Sequence, residues 1–110
     1  MKHPGLWLVI MGGKSARFVF HDAHGFHTFR TRASHRAGFA ARVAAELNEA
    51  AARHLFARLV LAGPARTLEA IEEALDPAVR RGIMGRVVRA LVAVPDQDLA
   101  LQFPAWPLVR

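Results

Sequence analysis

The residues best suited to binding chemistry lie in one short basic stretch that contains Arg30, Arg32, His35 and Arg36. Arginine presents a planar fork of N–H donors that matches phosphate oxygens, and a protonated imidazole adds a further cation. A stretch of this kind indicates binding of RNA or another polyanion. The alternative is a solvated basic loop, which is favoured because Thr31–Gly38 contains no aromatic side chain that would stack on a base.

A second candidate anion site is the turn Gly63–Thr67, which follows an apolar run and leads into a predicted helix. The first turn of a helix has free N–H groups that attract anions, and Arg66 adds further donors. Thr67 is predicted to cap this helix, with Glu69 in its first turn. The turn lacks the glycine-rich loop and the lysine of a phosphate-binding motif, so an ordinary capped helix start is the alternative.

Three histidines, His21, His24 and His27, recur at three-residue steps across a predicted hairpin turn. Imidazole is a good ligand for zinc, copper or nickel, and His21 and His27 would be able to face each other across the strands. This spacing is not a known metal-ligand pattern, however, and unliganded surface histidines are the alternative. We therefore predict no metal and no cofactor.

Catalysis finds little support among the remaining residues. The chain has no cysteine, which excludes disulfides and thiol catalysis. Ser15 and Ser34 lie in predicted loops, where nothing indicates a nucleophile activated by histidine. Asp22 is the single carboxylate near a predicted strand end of the first hairpin, whereas a nuclease that uses two magnesium ions needs a cluster of carboxylates. We predict that the protein is not an enzyme and has no catalytic residues.

The composition describes one small, basic domain of 110 residues with a net charge of +6. This charge favours a polyanionic partner, although a general bias toward arginine explains it equally well. The hydrophobic content of 53% makes self-association plausible. The apolar run Leu6–Met11 is too short to span a bilayer, so we predict no membrane insertion and a cytoplasmic location.

The apolar spacing predicts an alternation of strands and helices. Continuous apolar runs predict covered strands at Leu6–Met11 and Leu59–Leu61, and three- and four-residue spacing predicts an amphipathic helix over Phe39–His54. The other predicted elements are strands at Ala16–Phe20 and Phe26–Thr31, a helix over Thr67–Leu75, a helix that starts at Asp76-Pro77, a strand at Arg86–Val88 that could extend to Val94, and a last short helix capped by Asp96 and carrying Leu99 and Phe103.

This order, β-β-β-α-β-α-β-α, predicts an α/β fold with a single mixed sheet and helices packed on it. It is the order of a ribonuclease-H-like domain, which we expect to occupy residues 1–110 as one unit. The tail around Trp106 cannot be regular helix, because Pro104 and Pro107 flank it. It is either docked on the core or offered to a partner.

Most of the chain also resembles a known bacterial family. The residues that carry the resemblance are Trp7-Leu8-Val9, Gly12 to Phe18, Phe39-Ala40, Val43-Ala44, Leu47, Leu59-Val60-Leu61, Pro64 to Leu68, Leu75 and Val79. They are similar to the proteins described as required for attachment to host cells, a family without an established biochemical activity. Two departures concern the family's charged segments. Only Arg30–Gly38 remains of the long insertion before the first helix, and Ala90–Val94 replaces the charged stretch after the last strand.

The host-attachment family is in turn similar in layout to the middle domain of archaeal and eukaryotic class-one release factors. That resemblance implies a Gly-Gly-Gln sequence in the loop before the long helix, where it would position a water for hydrolysis of peptidyl-tRNA. The corresponding loop here, Thr31–Gly38, contains no Gly-Gly-Gln.

Two functions follow from these observations. The first is a non-catalytic α/β module of the host-attachment family that binds a protein partner or forms a homodimer, through an open sheet edge or through the tail around Trp106. The alternative is an RNA- or ribosome-associated domain, similar to the middle domain of a release factor, that uses the basic stretch from Arg30 to Arg36.

Overall fold

The computed structural model describes residues 5–34 and 36–107 as one sheet with helices on both faces. The strands are β1 (Leu6–Met11), β2 (Ser15–Asp22), β3 (Gly25–Ala33), β4 (Arg58–Ala62) and β5 (Ile83–Val87). The helices are α1 (Phe39–Ala52), α2 (Ala65–Ala74), α3 (Pro77–Arg80) and α4 (Asp96–Gln102). Within the described ranges, no helix combines the length and the apolar character needed to cross a membrane.

The five strands lie in the order β3-β2-β1-β4-β5. Strand β1 is antiparallel to β2 and parallel to β4, and β4 is parallel to β5. Leu8, for example, pairs with Val19 on one side and with Val60 on the other. The single mixed sheet and its ribonuclease-H-like order are therefore confirmed, with β1 at the centre as its continuous apolar character predicts.

Several elements begin or end at the same end of the sheet, where the parallel strands have their carboxyl ends. We call this end of the sheet the carboxyl edge. Strands β1, β4 and β5 run in the same direction, so they all end there, at Met11, Ala62 and Val87. Strand β2 begins and β3 ends at the same edge, because Ser15 pairs with Ala33. Helices α1 and α2 follow directly from strands that end there. The loops that lead into both helices consequently lie at one end of the molecule.

Each face of the sheet has its own hydrophobic core. Helices α1, α2 and α3 cover one face, which we call the α1 face, and Trp7 and Val9 of β1 point into it. Helix α4 covers the opposite face, the α4 face, where Leu8 and Ile10 are buried. Because both faces are covered, the alternating side chains of β1 are all apolar. Burial of each such side chain stabilises the fold by about 1.5–3 kcal/mol.

The predicted starts of two helices require correction. Helix α2 starts at Ala65 rather than at Thr67, and no side chain caps it. Pro64 is already at the N-cap position with φ −63 and an extended ψ, which lets the helix begin at the next residue. Glu69 is therefore beyond the first turn. Asp96 is inside the first turn of α4 and makes no capping hydrogen bond, because its carboxylate binds β3 instead.

The fifth strand ends earlier than predicted. It is Ile83–Val87, and the apolar segment Ala90–Val94 is not a strand. This segment turns over the α4 face, where Leu91 is buried and the carbonyl oxygens of Leu91 and Val92 accept hydrogen bonds from Arg17. Its apolar side chains thus cover the sheet from above and do not extend it.

The tail around Trp106 is docked on the α4 face. The Trp106 ring lies edge-on to Phe26, with centroids 5.1 Å apart, and to Phe103, at 5.5 Å. Trp106 is half-buried by these contacts. The structure thus shows Trp106 docked on the core, which is the first of the two predicted arrangements of the tail.

Candidate functional site

The chain turns from β3 into α1 at the carboxyl edge. The Ser34 backbone N–H donates to the Lys14 carbonyl oxygen over 2.9 Å, which ties the end of β3 to the β1–β2 turn. Gly38 then adopts φ 82, a left-handed conformation that glycine tolerates because it has no Cβ, and α1 begins at the next residue. The end of β3 consequently lies beside the first two turns of α1.

Two of the predicted basic residues converge on one carboxylate. Arg30 and Arg32 are two positions apart on β3, so their side chains extend on the same face of the sheet. Both donate to Oε1 of Glu46 on α1, from Nη1 of Arg30 at 2.9 Å and Nη2 of Arg32 at 2.9 Å. The three side chains are 40%, 49% and 22% exposed, in that order. One negative charge faces two positive charges here, and most guanidinium donors remain available to solvent.

The turn itself is organised by a serine. The Oγ of Ser34 accepts a hydrogen bond from the Arg36 backbone N–H at 3.1 Å and another from the guanidinium of Arg42. These contacts hold the start of α1 against the turn and place Arg42 beside it. The Arg36 guanidinium is exposed and forms no ion pair within residues 5–34 and 36–107. His35, the fourth predicted residue of this stretch, lies outside the described residues.

These side chains border an open cavity of about 550 Å³ between the end of β3 and α1. We call it the basic groove, and its principal lining residues are Arg32, Ser34, Arg36, Phe39, Arg42 and Glu46. Its three guanidinium groups outnumber the two carboxylates that line it, Glu46 and Glu49, so its net charge is positive. The groove is thus suited to an anion with several oxygen atoms, such as a chain of phosphates.

The second predicted site, Arg66 and Thr67, lies in the first turn of α2. Both helices start at the carboxyl edge, but neither Arg66 nor Thr67 lines the basic groove. Gly63 before α2 has φ 147, and a Cβ at this position would come within 2.7 Å of the Met11 carbonyl oxygen, so only glycine fits. Glycine at this position lets the backbone of the turn pack closely against the end of β1. Its role in anion binding stays a prediction.

The predicted approach of His21 and His27 across the hairpin is wrong. His21 pairs with Phe26 and lies on the α4 face, with its ring 6.1 Å from Trp106. His27 pairs with Phe20 and lies on the opposite face, where its Nε2 is 2.8 Å from Asp22 Oδ1. Among the described residues, no three His, Cys, Asp or Glu side chains are close enough to hold a metal ion.

A second cluster of arginine and carboxylate lies on the α4 face. Arg17 donates from Nη1 to the carbonyl oxygens of Leu91 and Val92 at 3.3 and 3.1 Å, and to that of Val94. Its Nη2 donates to Asp96 Oδ1 at 2.6 Å. The Arg17 side chain is only 12% exposed, and it fastens the β5–α4 loop to the sheet.

Asp96 is held from a second direction by β3. The Thr28 backbone N–H donates to Oδ2 at 2.7 Å, and the Thr28 hydroxyl donates to Oδ1 at 2.5 Å. Burial alone would raise the pKa of Asp96, but the hydrogen bonds from Thr28 and Arg17 outweigh it and hold the pKa below its ordinary value of 3.8. The carboxylate therefore stays charged and acts as a tie between α4, β2 and β3.

Several residues of the basic groove were not among the sequence predictions. Phe39, Arg42 and Glu46 are separated by three and four residues, so they share one side of α1. The charged pattern of this helix surface was visible in the sequence. What it could not show is that this surface faces the end of β3, because that depends on how the turn at Gly38 folds.

Comparison with known proteins adds a family and a fold. A family model described as "Bacterial archaeo-eukaryotic release factor family 12" matches residues 7–102. Among the curated proteins, no match was found. The solved structures with a similar fold include Archaeoglobus fulgidus Pelota, with a TM-score of 0.70 and 18% identity, and archaeal translation termination factor aRF1, with a TM-score of 0.57 and 14% identity. A protein described only as "Archaeal protein" has a TM-score of 0.63 and 15% identity.

These neighbours are longer than this chain. The similarity covers 94% of this chain and 32% of Pelota, 76% and 30% for aRF1, and 94% and 34% for the third structure. The chain thus spans about a third of the length of the structures that it matches, and at these identities the likeness shows the fold alone. The release-factor-like layout predicted from the sequence is supported, whereas the host-attachment name finds no support in these comparisons.

Proposed function

We propose, on the premise that this chain belongs to the bacterial archaeo-eukaryotic release factor family 12, that it is a non-catalytic module that associates with ribosomes by binding RNA. The family and the Pelota and aRF1 neighbours support a part in translation-related complexes. Under this proposal the protein acts where ribosomes are, in the cytoplasm. The rest of the proposal rests on the basic groove.

The single observation that carries the proposal is the convergence of Arg30 and Arg32 on Glu46. A pair of guanidinium groups fixed on one carboxylate oxygen loses less side-chain freedom when it meets a phosphate than two free arginines would. Arg36 and Arg42 continue the cationic surface around the groove. Phosphate groups of an RNA backbone match both the charge and the fork-shaped donors of this surface.

The absence of a catalytic role is part of the same proposal. The chain contains no Gly-Gly-Gln, to which the release-factor resemblance assigns the positioning of a water. Among the described residues that line the groove there is no histidine, and both carboxylates that could act as a general base are paired, Glu46 with two arginines and Glu49 with Arg53. We infer that the groove binds without turning over a substrate.

The proposal is tested by cosedimentation with ribosomes over a series of salt concentrations. The test variant carries Arg30→Ala, Arg32→Ala and Arg36→Ala. The control carries Arg53→Ala, Arg58→Ala and Arg81→Ala, which removes the same charge from exposed residues at the opposite end of the sheet. We expect the test variant to bind more weakly and its log affinity to fall less steeply with log salt, by about 2 units of slope for three lost phosphate contacts.

The possible results separate the two functions. Equal weakening of both variants would mean that general charge, and not the groove, is responsible, and would contradict the proposal. A wild-type protein that does not cosediment at any salt concentration would favour the alternative of a protein-binding module. For that alternative the exposed edge of β5 is the best candidate surface, with Met84 39% and Val88 62% exposed.

A further inference from the structure

The carboxylate of Glu46 has one oxygen that forms no hydrogen bond with the described part of the chain. Arg30 and Arg32 both donate to Oε1, each at 2.9 Å, which leaves Oε2 as an acceptor. Glu46 lines the basic groove, and its side chain is 22% exposed. Because a carboxylate oxygen only accepts hydrogen bonds, Oε2 is suited to a hydroxyl or N–H group of a ligand in the groove.

A β-bulge in β3 directs the arginines toward this carboxylate. Arg30 pairs with Phe18, but the next residue of β2 pairs with Thr28, so Phe29 is an extra residue in β3. Phe18 is buried in the core of the α1 face, and residues that pair directly across two strands extend on the same face. Arg30 therefore extends toward α1, where it meets Glu46.

The charged groups alternate along the basic groove. Arg36 and Arg42 border it where α1 begins, and neither has a carboxylate partner among the described residues. Glu46 follows Arg42 by four residues, roughly 6 Å along the helix axis, and Arg32 flanks it from β3. A nucleic acid strand has a matching order, since each ribose lies between two phosphates. A carboxylate repels phosphates, so it fits such a ligand only where it receives a donor.

We propose that Glu46 makes the basic groove prefer RNA to DNA, by accepting a hydrogen bond from a ribose 2′-hydroxyl at Oε2. The inference rests on the proposed function and names the residue that selects its ligand. One phosphate beside that ribose binds to Arg36 and Arg42, and the other binds to the spare donors of Arg30 and Arg32. DNA has no hydroxyl at this position, so it would bring its phosphates to the carboxylate without a compensating hydrogen bond.

The two arginines also make Glu46 better suited to this role than the other carboxylate of the groove. They fix its side chain through Oε1, so little side-chain freedom is lost when Oε2 binds a hydroxyl. Glu49 is 65% exposed and forms one ion pair, with Arg53 on the next turn of α1. A hydrogen bond to the less exposed Glu46 competes less with water. Glu49 therefore provides a matched control.

The experiment compares three forms of one short fluorescein-labelled oligoadenylate by fluorescence anisotropy at a fixed salt concentration. The forms are RNA, DNA and 2′-fluoro RNA, which keeps the sugar conformation of RNA but has no 2′-hydroxyl donor. We expect the wild type to bind RNA roughly tenfold more tightly than either other form, as expected for the loss of one hydrogen bond to a charged group. Equal binding of RNA and 2′-fluoro RNA would overturn the inference, because sugar shape would then explain the preference.

The test variant is Glu46→Leu, which keeps a side chain of similar size and has no acceptor. We expect its preference for RNA to fall below about twofold, as the hydrogen bond is lost, while its affinity for DNA rises because a negative charge is removed. The control Glu49→Leu removes the same charge from the same groove. It should bind RNA and DNA more tightly by equal factors, which leaves the preference unchanged. An equal loss of preference in both variants would overturn the inference.

A second variant keeps the test valid if Glu46→Leu does not fold, as judged by circular dichroism. Glu46→Gln has a single acceptor oxygen, which cannot serve both the arginines and the hydroxyl, so its preference for RNA should fall severalfold. A preference that persists in the folded Glu46 variants would overturn the inference. Weaker RNA binding by the triple arginine variant would still leave the proposed function standing. If the triple arginine variant binds RNA and ribosomes as the wild type does, the proposed function and the inference are both wrong.

Discussion

The two faces of the β2–β3 hairpin carry clusters built from the same groups, arginine and carboxylate, in different surroundings. On the α4 face, Arg17 is 12% exposed and its partner Asp96 is 37% exposed. On the α1 face, Arg30 and Arg32 are 40% and 49% exposed around Glu46. The first cluster lies where a loop and a helix close over the sheet, and the second lies at the edge of an open groove.

The difference lies in how the guanidinium donors are used. Arg17 donates to three backbone carbonyl oxygens, to Thr28 and to Asp96, so its donors are engaged with the protein itself. Arg30 shows a single contact, to Glu46, among the described residues. An arginine whose donors are satisfied by backbone stabilises the fold, whereas one with spare donors is free to bind a ligand. The number of hydrogen bonds that each guanidinium makes within the protein thus distinguishes an arginine that stabilises the fold from one that can bind a ligand.

The largest expected effect comes from Arg17→Ala. This change removes the guanidinium donors to the carbonyl oxygens of the β5–α4 loop, and it leaves Asp96 with its hydrogen bonds from Thr28 alone. Because these groups are partly buried, we expect the free energy of unfolding to fall by about 2–4 kcal/mol. Urea denaturation followed by circular dichroism measures it. The variant Arg17→Lys keeps the charge but not the fork of donors, so it should recover only part of the loss.

A loss of less than about 1 kcal/mol in Arg17→Ala would contradict the structural role of this cluster. The comparison would then fail, because both faces would carry arginines of equal and small importance to stability. A loss of ribosome binding in Arg17→Ala, without loss of stability, would contradict it in the opposite way.

The pH dependence of stability provides an intermediate test through Asp96. Its pKa in the folded protein is lower than the ordinary value of 3.8, so its contribution to stability is complete above that value. The contribution is lost as the pH falls through the lower pKa of the folded state. We expect Asp96→Asn to be about 1–2 kcal/mol less stable than the wild type at neutral pH, since an amide cannot replace all three hydrogen bonds. The difference should shrink as the pH falls below about 4.

Urea denaturation of both proteins across the acidic range measures this difference. The control is Asp22→Asn, because Asp22 also has a lowered pKa but its side chain is 39% exposed. Its partners His24 and His27 belong to the same hairpin, so it fastens no loop or helix to the sheet. It should change stability much less than Asp96→Asn does. A gap between wild type and Asp96→Asn that does not change with pH would show that the carboxylate charge is not what matters.

The sequence predicted the parts of the fold that depend on local pattern. Strand β1 and the first residue of α1 are where the apolar spacing placed them, because covered strands and amphipathic helices leave a regular signal. The fifth strand was misplaced, since Ala90–Val94 is as apolar as a strand. Its actual position depends on Arg17, which is more than seventy residues away in the chain and contacts the carbonyls of this segment. No local pattern contains that information.

The candidate site shows the same limit. The basic residues Arg30 and Arg32 could be identified from the sequence alone, but their convergence on Glu46 depends on the turn into α1. The sequence also indicated no aromatic residue among the cations. In the structure Phe20 approaches from the neighbouring strand and Phe29 is turned to the same face by the bulge. The order of residues along the chain could not show that these rings lie near the arginines, because their position depends on which residues pair between strands.

The smallest expected effect on stability comes from the double change Arg30→Ala and Arg32→Ala. Exposed ion pairs contribute little because solvent screens them, so the free energy of unfolding should change by no more than about 1 kcal/mol. The reference is Arg53→Ala, which breaks an exposed contact of 2.8 Å with Glu49 one helical turn earlier in α1. Urea denaturation should place the double variant close to this reference. Cosedimentation with ribosomes should show weaker binding for the double variant only. A stability loss comparable to that of Arg17→Ala would mean that Arg30 and Arg32 hold β3 against α1, and that the two clusters differ in exposure but not in role.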